Sequence, residues 1–131
     1  MRTLKLVDSI TELGPHDEGC IAVSGSHGGI SSARYALAAR PVLSVFNDAG
    51  GGLNNAGVAA LAFLQENHLA ACTVAHNSAR IGEASSTLAR GLINHANACA
   101  AALGIQTGWT CQQAVDTFAA FDSLELKQKT L

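Results

Sequence analysis

Serine, histidine, asparagine, aspartate and arginine side chains are concentrated in three glycine-containing segments of this chain. These segments are residues 24–29 (SGSHGG), 47–52 (NDAGGG) and 76–83 (HNSARIGE), and each follows a short apolar run. Hydroxyl, imidazole and carboxylate groups are the usual components of nucleophilic and general acid–base catalysis. The sequence therefore predicts reactive chemistry in these three segments.

Ser26 in the first segment has the small residues Ser24 and Gly28 two positions to either side. This pattern resembles the nucleophile elbow of the α/β-hydrolases, in which small neighbours permit a tight turn that exposes the serine. The resemblance implies that Ser26 is the nucleophile, that His76 is the base and that Asp48 orients the imidazole, in the chain order of that family. It covers only these residues, and Ser24 stands where the family usually has glycine.

The backbone amides of residues 27–29 (His27, Gly28 and Gly29) could donate hydrogen bonds to an oxyanion at the start of a helix. Other polar and glycine residues of the three segments are expected to bind the substrate. They are Asn47, Gly50, Gly51, Asn77 and Arg80. The guanidinium of Arg80 suits a substrate carboxylate, although an ion pair with Glu83 is an equally simple interpretation.

Two other kinds of site fit the same residues. Successive glycines at a helix N-terminus could hold an anion without any nucleophile, and His27, Asp48 and His76 could act as two-histidine, one-carboxylate metal ligands. The spacing is not diagnostic of a metal, and neither G-x-G-x-x-G nor G-x-x-x-x-G-K-[ST] occurs. We therefore predict no metal and no cofactor.

Alternating apolar runs and helix-forming stretches predict the elements that position these segments. Strands are expected at residues 4–7, 20–23, 42–46 and 71–75. Helices are expected at 31–39, from Asn54 or Asn55 to about 66, from Ser85 or Ser86 to about 103, and after Thr110. The third of these helices would include His95 as a structural residue, and possible capping boxes lie at 9–12 and 110–113.

Strand–helix alternation with short connections predicts an α/β fold, a three-layer α/β/α sandwich with a mostly parallel sheet. Ligands of such sheets bind beyond the carboxyl ends of the strands, where all three polar segments would lie. With 131 residues, the chain is expected to form a single α/β domain over residues 1–131.

Composition narrows the classes of function. Charged residues make up 14% of the chain, against about 25% in typical proteins, and hydrophobic residues 48%. The small core and the low charge predict a homo-oligomer. A net charge of −2 argues against nucleic acid and anionic membranes as partners, and the absence of a long apolar run predicts a cytoplasmic protein.

These features together predict a small cytoplasmic enzyme that acts on a compact polar metabolite, with amide or ester hydrolysis by Ser26 as the leading hypothesis. Two alternatives remain open at this point. One is a non-catalytic subunit or module that binds a small anion, and the other is a lyase or isomerase that uses a metal or acid–base groups.

Overall fold

The computed structural model of the chain describes residues 3–50 and 58–120, and in these residues five strands form one sheet. The strands are β1 (Leu4–Val7), β2 (Ile21–His27), β3 (Leu43–Asn47), β4 (Ala70–Val74) and β5 (Ile93–Ala96), and they lie in the order of the chain. The first four run parallel, and β5 is antiparallel to β4. The α/β class and the mostly parallel sheet are thus confirmed.

Five α-helices accompany the sheet in the described residues: α1 (Ile30–Ala39), α2 (Ala59–Glu66), α3 (Ala84–Arg90), α4 (Ala98–Ala102) and α5 (Cys111–Ala120). None of them has the length and apolar character that crossing a bilayer requires.

Helices pack on both faces of the sheet. In β4, Cys72 and Val74 belong to one buried cluster with residues of α4 and α5, whereas Ala71 belongs to a second cluster with residues of α1 and α2. Because successive side chains of a strand point to opposite faces, the two clusters lie on opposite sides of the sheet. This is the arrangement of a three-layer sandwich.

After two neighbouring strands, β3 and β4, the chain continues to opposite faces of the sheet. The chain after β3 continues to α2, in the second cluster, while the chain after β4 leads to α3, whose Leu88 packs against the first cluster. In open α/β sheets this divergence opens a crevice at the carboxyl ends of the two strands, and ligands bind there. The segments that begin at Asp48 and at Ala75 follow these carboxyl ends.

The prediction of one long helix from Ser85 or Ser86 to residue 103 is wrong. Helix α3 ends at Arg90, and the chain then forms β5 before α4. The chain passes close to β4 at Gly91, where an added Cβ would lie 2.7 Å from Cγ1 of Val74. The side chain of Asn97 accepts a hydrogen bond from the amide of Ala100 and so caps α4. Leu92, expected on the inner helix face, is 47% exposed.

The strand predicted at residues 20–23 is longer than expected, because β2 continues to His27. Within the added part of the strand, the Ser24 hydroxyl donates a hydrogen bond to the carbonyl of Val45 on β3 (2.7 Å). The pairing with β3 is irregular between Val23 and His27. Ser26 therefore lies within a strand, and the turn into α1 comes at Gly28 and Gly29.

Other local predictions are confirmed. The Ser9–Glu12 capping box forms around a 3₁₀ turn, Ile10–Glu12, and Thr110 and Gln113 bond reciprocally at the start of α5. Helix α1 ends at Ala39, before Pro41. The helix cap expected at Asn54 or Asn55 lies outside the described residues.

Candidate functional site

Asp48 follows β3 directly and lies at the carboxyl end of that strand, next to β4. Its backbone amide donates to the carbonyl of Val74 (3.0 Å), which continues the pairing of the two strands past their ends. Its carboxylate Oδ1 accepts a hydrogen bond from the backbone amide of His76 (2.9 Å). The side chain therefore joins the segments that follow the two strands.

The Asp48 carboxylate is buried, with 7% of the residue exposed, and it is surrounded by donors. Oδ1 also accepts from the amide of Gly50 (2.9 Å), and Oδ2 accepts from the Asn94 side-chain amide (2.6 Å). Burial raises the pKa of the carboxyl group, but hydrogen bonds from Gly50, Asn94 and His76, together with the attraction of the imidazole, outweigh it. The pKa is lowered overall, so Asp48 is held as an anion.

Asn94, on β5, is oriented by a residue of the neighbouring strand β4. The hydroxyl of Thr73, which is fully buried on β4, donates to Oδ1 of Asn94 (2.8 Å). That bond assigns Oδ1 as the acceptor and turns the Asn94 amide NH₂ toward Asp48. Thr73, Asn94 and Asp48 thus form a chain of hydrogen bonds across β4, β5 and the end of β3.

His76 places its ring next to the Asp48 carboxylate. The distance from His76 Nδ1 to Asp48 Oδ1 is 3.4 Å, and the imidazole side chain is 57% exposed. Gly50 lies beside the ring, because a Cβ added at this position, where φ is +76°, would be 3.7 Å from His76 Nδ1 and Cε1. With Nδ1 facing a fixed anion, Nε2 is the ring nitrogen available to a ligand.

The structure brings Asp48 and His76 together but does not bring Ser26 to them. The Ser26 Oγ accepts a hydrogen bond from the backbone amide of Ile10 (2.9 Å), and within the described residues it bonds to neither Asp48 nor His76. Its hydroxyl satisfies the first free amide of the 3₁₀ turn after β1. Ser26 therefore supports that turn.

The three residues whose amides were expected to stabilise an oxyanion have different surroundings. The amide of Gly28 donates to the carbonyl of Asn47 (2.9 Å) and is not free. Gly29 is the N-cap of α1 and is buried. His27 is exposed at the end of β2, opposite Asn47 in the pairing with β3.

Asn47 is fully buried, and both ends of its amide are occupied. Oδ1 accepts from the amide of Ala49 (2.8 Å), and Nδ2 donates to the carbonyl of Ala79 (3.2 Å). Asn47 thus holds the segment after β4 in place. Asn77 is exposed next to His76, and Gly51 lies outside the described residues.

Arg80 is 78% exposed and forms an ion pair with Glu83, with 3.6 Å between Nη1 and Oε1. The same side chain lines an open cleft of about 260 Å³ together with His76, Ser86 and Arg90. Arg80 therefore forms the local ion pair with Glu83 and also lies in the same cleft as His76.

Metal and thiol chemistry have little support in the described residues. No three side chains of histidine, cysteine, aspartate or glutamate are grouped there as metal ligands. The four cysteines are buried and unpaired. Burial raises the pKa of Cys20 to about 11 and that of Cys111 to about 12, so these thiols are poor nucleophiles.

Sequence reasoning missed Thr73, Asn94 and Arg90. Asn94 had been assigned to a helix, where it could not meet Asp48. Gly91 and Asn97 were the available signals, because glycine interrupts helices and asparagine caps them.

Comparisons with protein-family models, with curated protein sequences and with solved structures give no significant match.

Proposed function

We propose that this protein is an acid–base enzyme in which His76 moves a proton to or from a compact polar substrate, or from a water molecule that attacks it. Asp48 is a positioning residue that orients the imidazole through Nδ1. The observation that carries the proposal is the buried, multiply hydrogen-bonded Asp48 carboxylate 3.4 Å from an exposed imidazole.

The arrangement meets the requirements of a general base. A reactive imidazole needs a fixed partner at one nitrogen and access to ligand at the other. Asp48 is fixed by donors from Gly50, Asn94 and the His76 backbone. His76 and Asp48 lie at the carboxyl ends of the strands, where an open α/β sheet binds ligands. Ser26 is left out of the mechanism because its hydroxyl oxygen bonds to Ile10.

Acylation by diethyl pyrocarbonate tests the pairing without knowledge of the substrate. Peptide mapping would give the acylation rate of each histidine, with His68 as an internal reference that has no acidic partner among the described residues. At about pH 8, above the ordinary histidine pKa of about 6.5, Asp48→Asn should slow acylation of His76 by up to about fivefold. Acylation places positive charge on the ring, and the carboxylate stabilises that charge by no more than roughly 1 kcal/mol for an exposed pair. The rate at His68 should not change.

The matched control is Asp116→Asn, since Asp116 lies on α5 and bonds only to Gln112 among the described residues. An unchanged acylation rate at His76 in Asp48→Asn, or an equal decrease in Asp116→Asn, would show that the carboxylate does not act on the imidazole.

A fluorophosphonate probe separates this proposal from a serine hydrolase. We expect no adduct in the intact mass, because no basic side chain bonds to the Ser26 hydroxyl within residues 3–50 and 58–120. For any substrate that is found, His76→Ala should reduce turnover about 10²–10⁴-fold while binding survives. An adduct that is lost in Ser26→Ala would instead establish serine catalysis. If the protein binds a ligand without turning it over, and His76→Ala only weakens that binding, the protein is a binding module.

A further inference from the structure

A second cleft adjoins the one beside His76. It measures about 360 Å³ and shares Arg80, Ser86 and Arg90 with the first. All three belong to α3 or to the segment before it. The two clefts therefore form a continuous depression, here called the arginine cleft, that runs from the imidazole along α3.

The arginine cleft carries unbalanced positive charge. Arg80 is paired with Glu83 at 3.6 Å, which balances one guanidinium. Arg90 has no ion pair and no side-chain hydrogen bond among residues 3–50 and 58–120. The part of the cleft next to His76 has no acidic residue in its lining. A free guanidinium fork in a cleft is suited to bidentate recognition of carboxylate or phosphate.

The cleft is held in shape by contacts to the rest of the fold. The amide of Arg80 donates to the Ser86 hydroxyl (2.9 Å), and the amide of Gly82 donates to the carbonyl of Gly25 on β2 (2.7 Å). Asn47 bonds to the carbonyl of Ala79 from the other side. A preformed shape reduces the ordering that a ligand must impose when it binds.

We propose that the arginine cleft is the subsite for an anionic oxyacid group of the substrate, carboxylate or phosphate, and that Arg90 is its principal binding residue. This inference rests on the proposed function, because His76 lines the same cleft. An anionic group bound at Arg90 places the neighbouring atoms of a compact substrate beside the imidazole. The substrate class is then a small organic acid or phosphate ester.

The test is a titration of the ¹⁵N-labelled full chain with sodium phosphate and, separately, with sodium acetate, at constant ionic strength. Saturable amide shifts are expected within residues 76–90. Arg90→Ala should weaken binding about fivefold or more, which corresponds to roughly 1 kcal/mol for one exposed guanidinium. Arg34→Ala on α1, the matched exposed arginine, should change it less than about twofold.

The tighter of the two anions identifies the group that the substrate carries, and either one supports the subsite. No saturable shift with either anion, or equal weakening in Arg34→Ala and Arg90→Ala, overturns it. The acylation experiment on His76 is independent of this titration. Failure of anion binding with normal slowing of acylation in Asp48→Asn refutes the subsite alone, and the converse refutes the acid–base pair alone.

Discussion

Replacing Asp48 by asparagine removes the charge at the centre of the site and keeps its size. Two hydrogen bonds, from the amides of Gly50 and His76, become bonds to a neutral acceptor. Charged acceptors contribute about 1.5–3 kcal/mol per bond and neutral ones about 0.5–1.5. The change in these two bonds therefore costs roughly 2–3 kcal/mol.

The third bond creates a conflict between donors. The new side-chain NH₂ would face the Asn94 NH₂, which now donates to Asp48 across 2.6 Å. Rotation of the Asn94 amide removes the conflict. Its NH₂ then donates to the oxygen of the buried Thr73 hydroxyl, whose O–H loses its present acceptor, at a cost of up to about 3 kcal/mol. Relief of the burial cost of the charge offsets part of this. We expect a net loss of about 1–3 kcal/mol at pH 7.

The loss should depend on pH in a specific direction. The folded-state pKa of Asp48 is lowered from its ordinary value of 3.8. Its ionised form therefore contributes stability that is complete above the unfolded pKa and disappears as the pH falls through the folded pKa. The difference in unfolding free energy between the natural chain and Asp48→Asn should be largest near neutral pH and shrink below pH 3.8.

Urea unfolding followed by the fluorescence of Trp109, the single tryptophan, measures this difference. Asp17, whose pKa is also lowered by hydrogen bonding from Gly14, is present in both chains. Its contribution to the pH dependence of stability therefore cancels in the difference. Asp116→Asn is the control and should change stability little at any pH. A difference that stays constant from neutral to acidic pH would refute the assignment of the stabilisation to the ionised carboxylate.

Two further substitutions test other parts of the structure. Thr73→Val removes the hydroxyl that orients Asn94, and it should lower the free energy of unfolding by about 1–2 kcal/mol and slow the acylation of His76 in the same direction as Asp48→Asn. Gly25→Ala places a Cβ against the backbone nitrogen of Glu83, closer than any real contact allows. Thermal unfolding should show a loss of about 1–3 kcal/mol, whereas unchanged stability would show that the two segments are not in close contact.

The general location of the site could be predicted from the sequence. Asp48 and His76 each follow an apolar, β-branched run, and parallel strands present their carboxyl ends at one edge. The polar segments after residues 46 and 75 were therefore expected to be neighbours. Their direct contact depends on β3 pairing with β4, which residue types alone do not specify.

The role of Ser26 could not be predicted from its neighbours. The small residues around it permit a tight turn, and they also permit a strand that continues through Ser24, Gly25 and Ser26 to His27. The choice depends on Ile10, 16 residues away in the chain, and on the close approach of the loop at residues 82–83 to Gly25.

Asn94 shows why periodicity failed in the second half of the chain. Leu88, Leu92, Ala96, Cys99 and Leu103 recur at helical spacing, so an amphipathic helix was the simplest interpretation. Pairing with β4 provides backbone hydrogen bonds that a helix would otherwise supply, and Asn97 caps a separate helix after the strand. Helical propensity is a weak preference that such contacts override.

Local chemistry accounts for what the amino-acid sequence established: the α/β class, two capping boxes, the end of α1 before Pro41 and the position of polar segments at one edge of the sheet. These depend on periodicity, capping and backbone restriction, which act over a few residues. Tertiary structure alone decided that Thr73 orients Asn94, that Asn94 bonds to Asp48, and that Arg80 and Arg90 line one cleft. The physical reason is that strand pairing and helix packing set these distances between residues that are far apart in the chain.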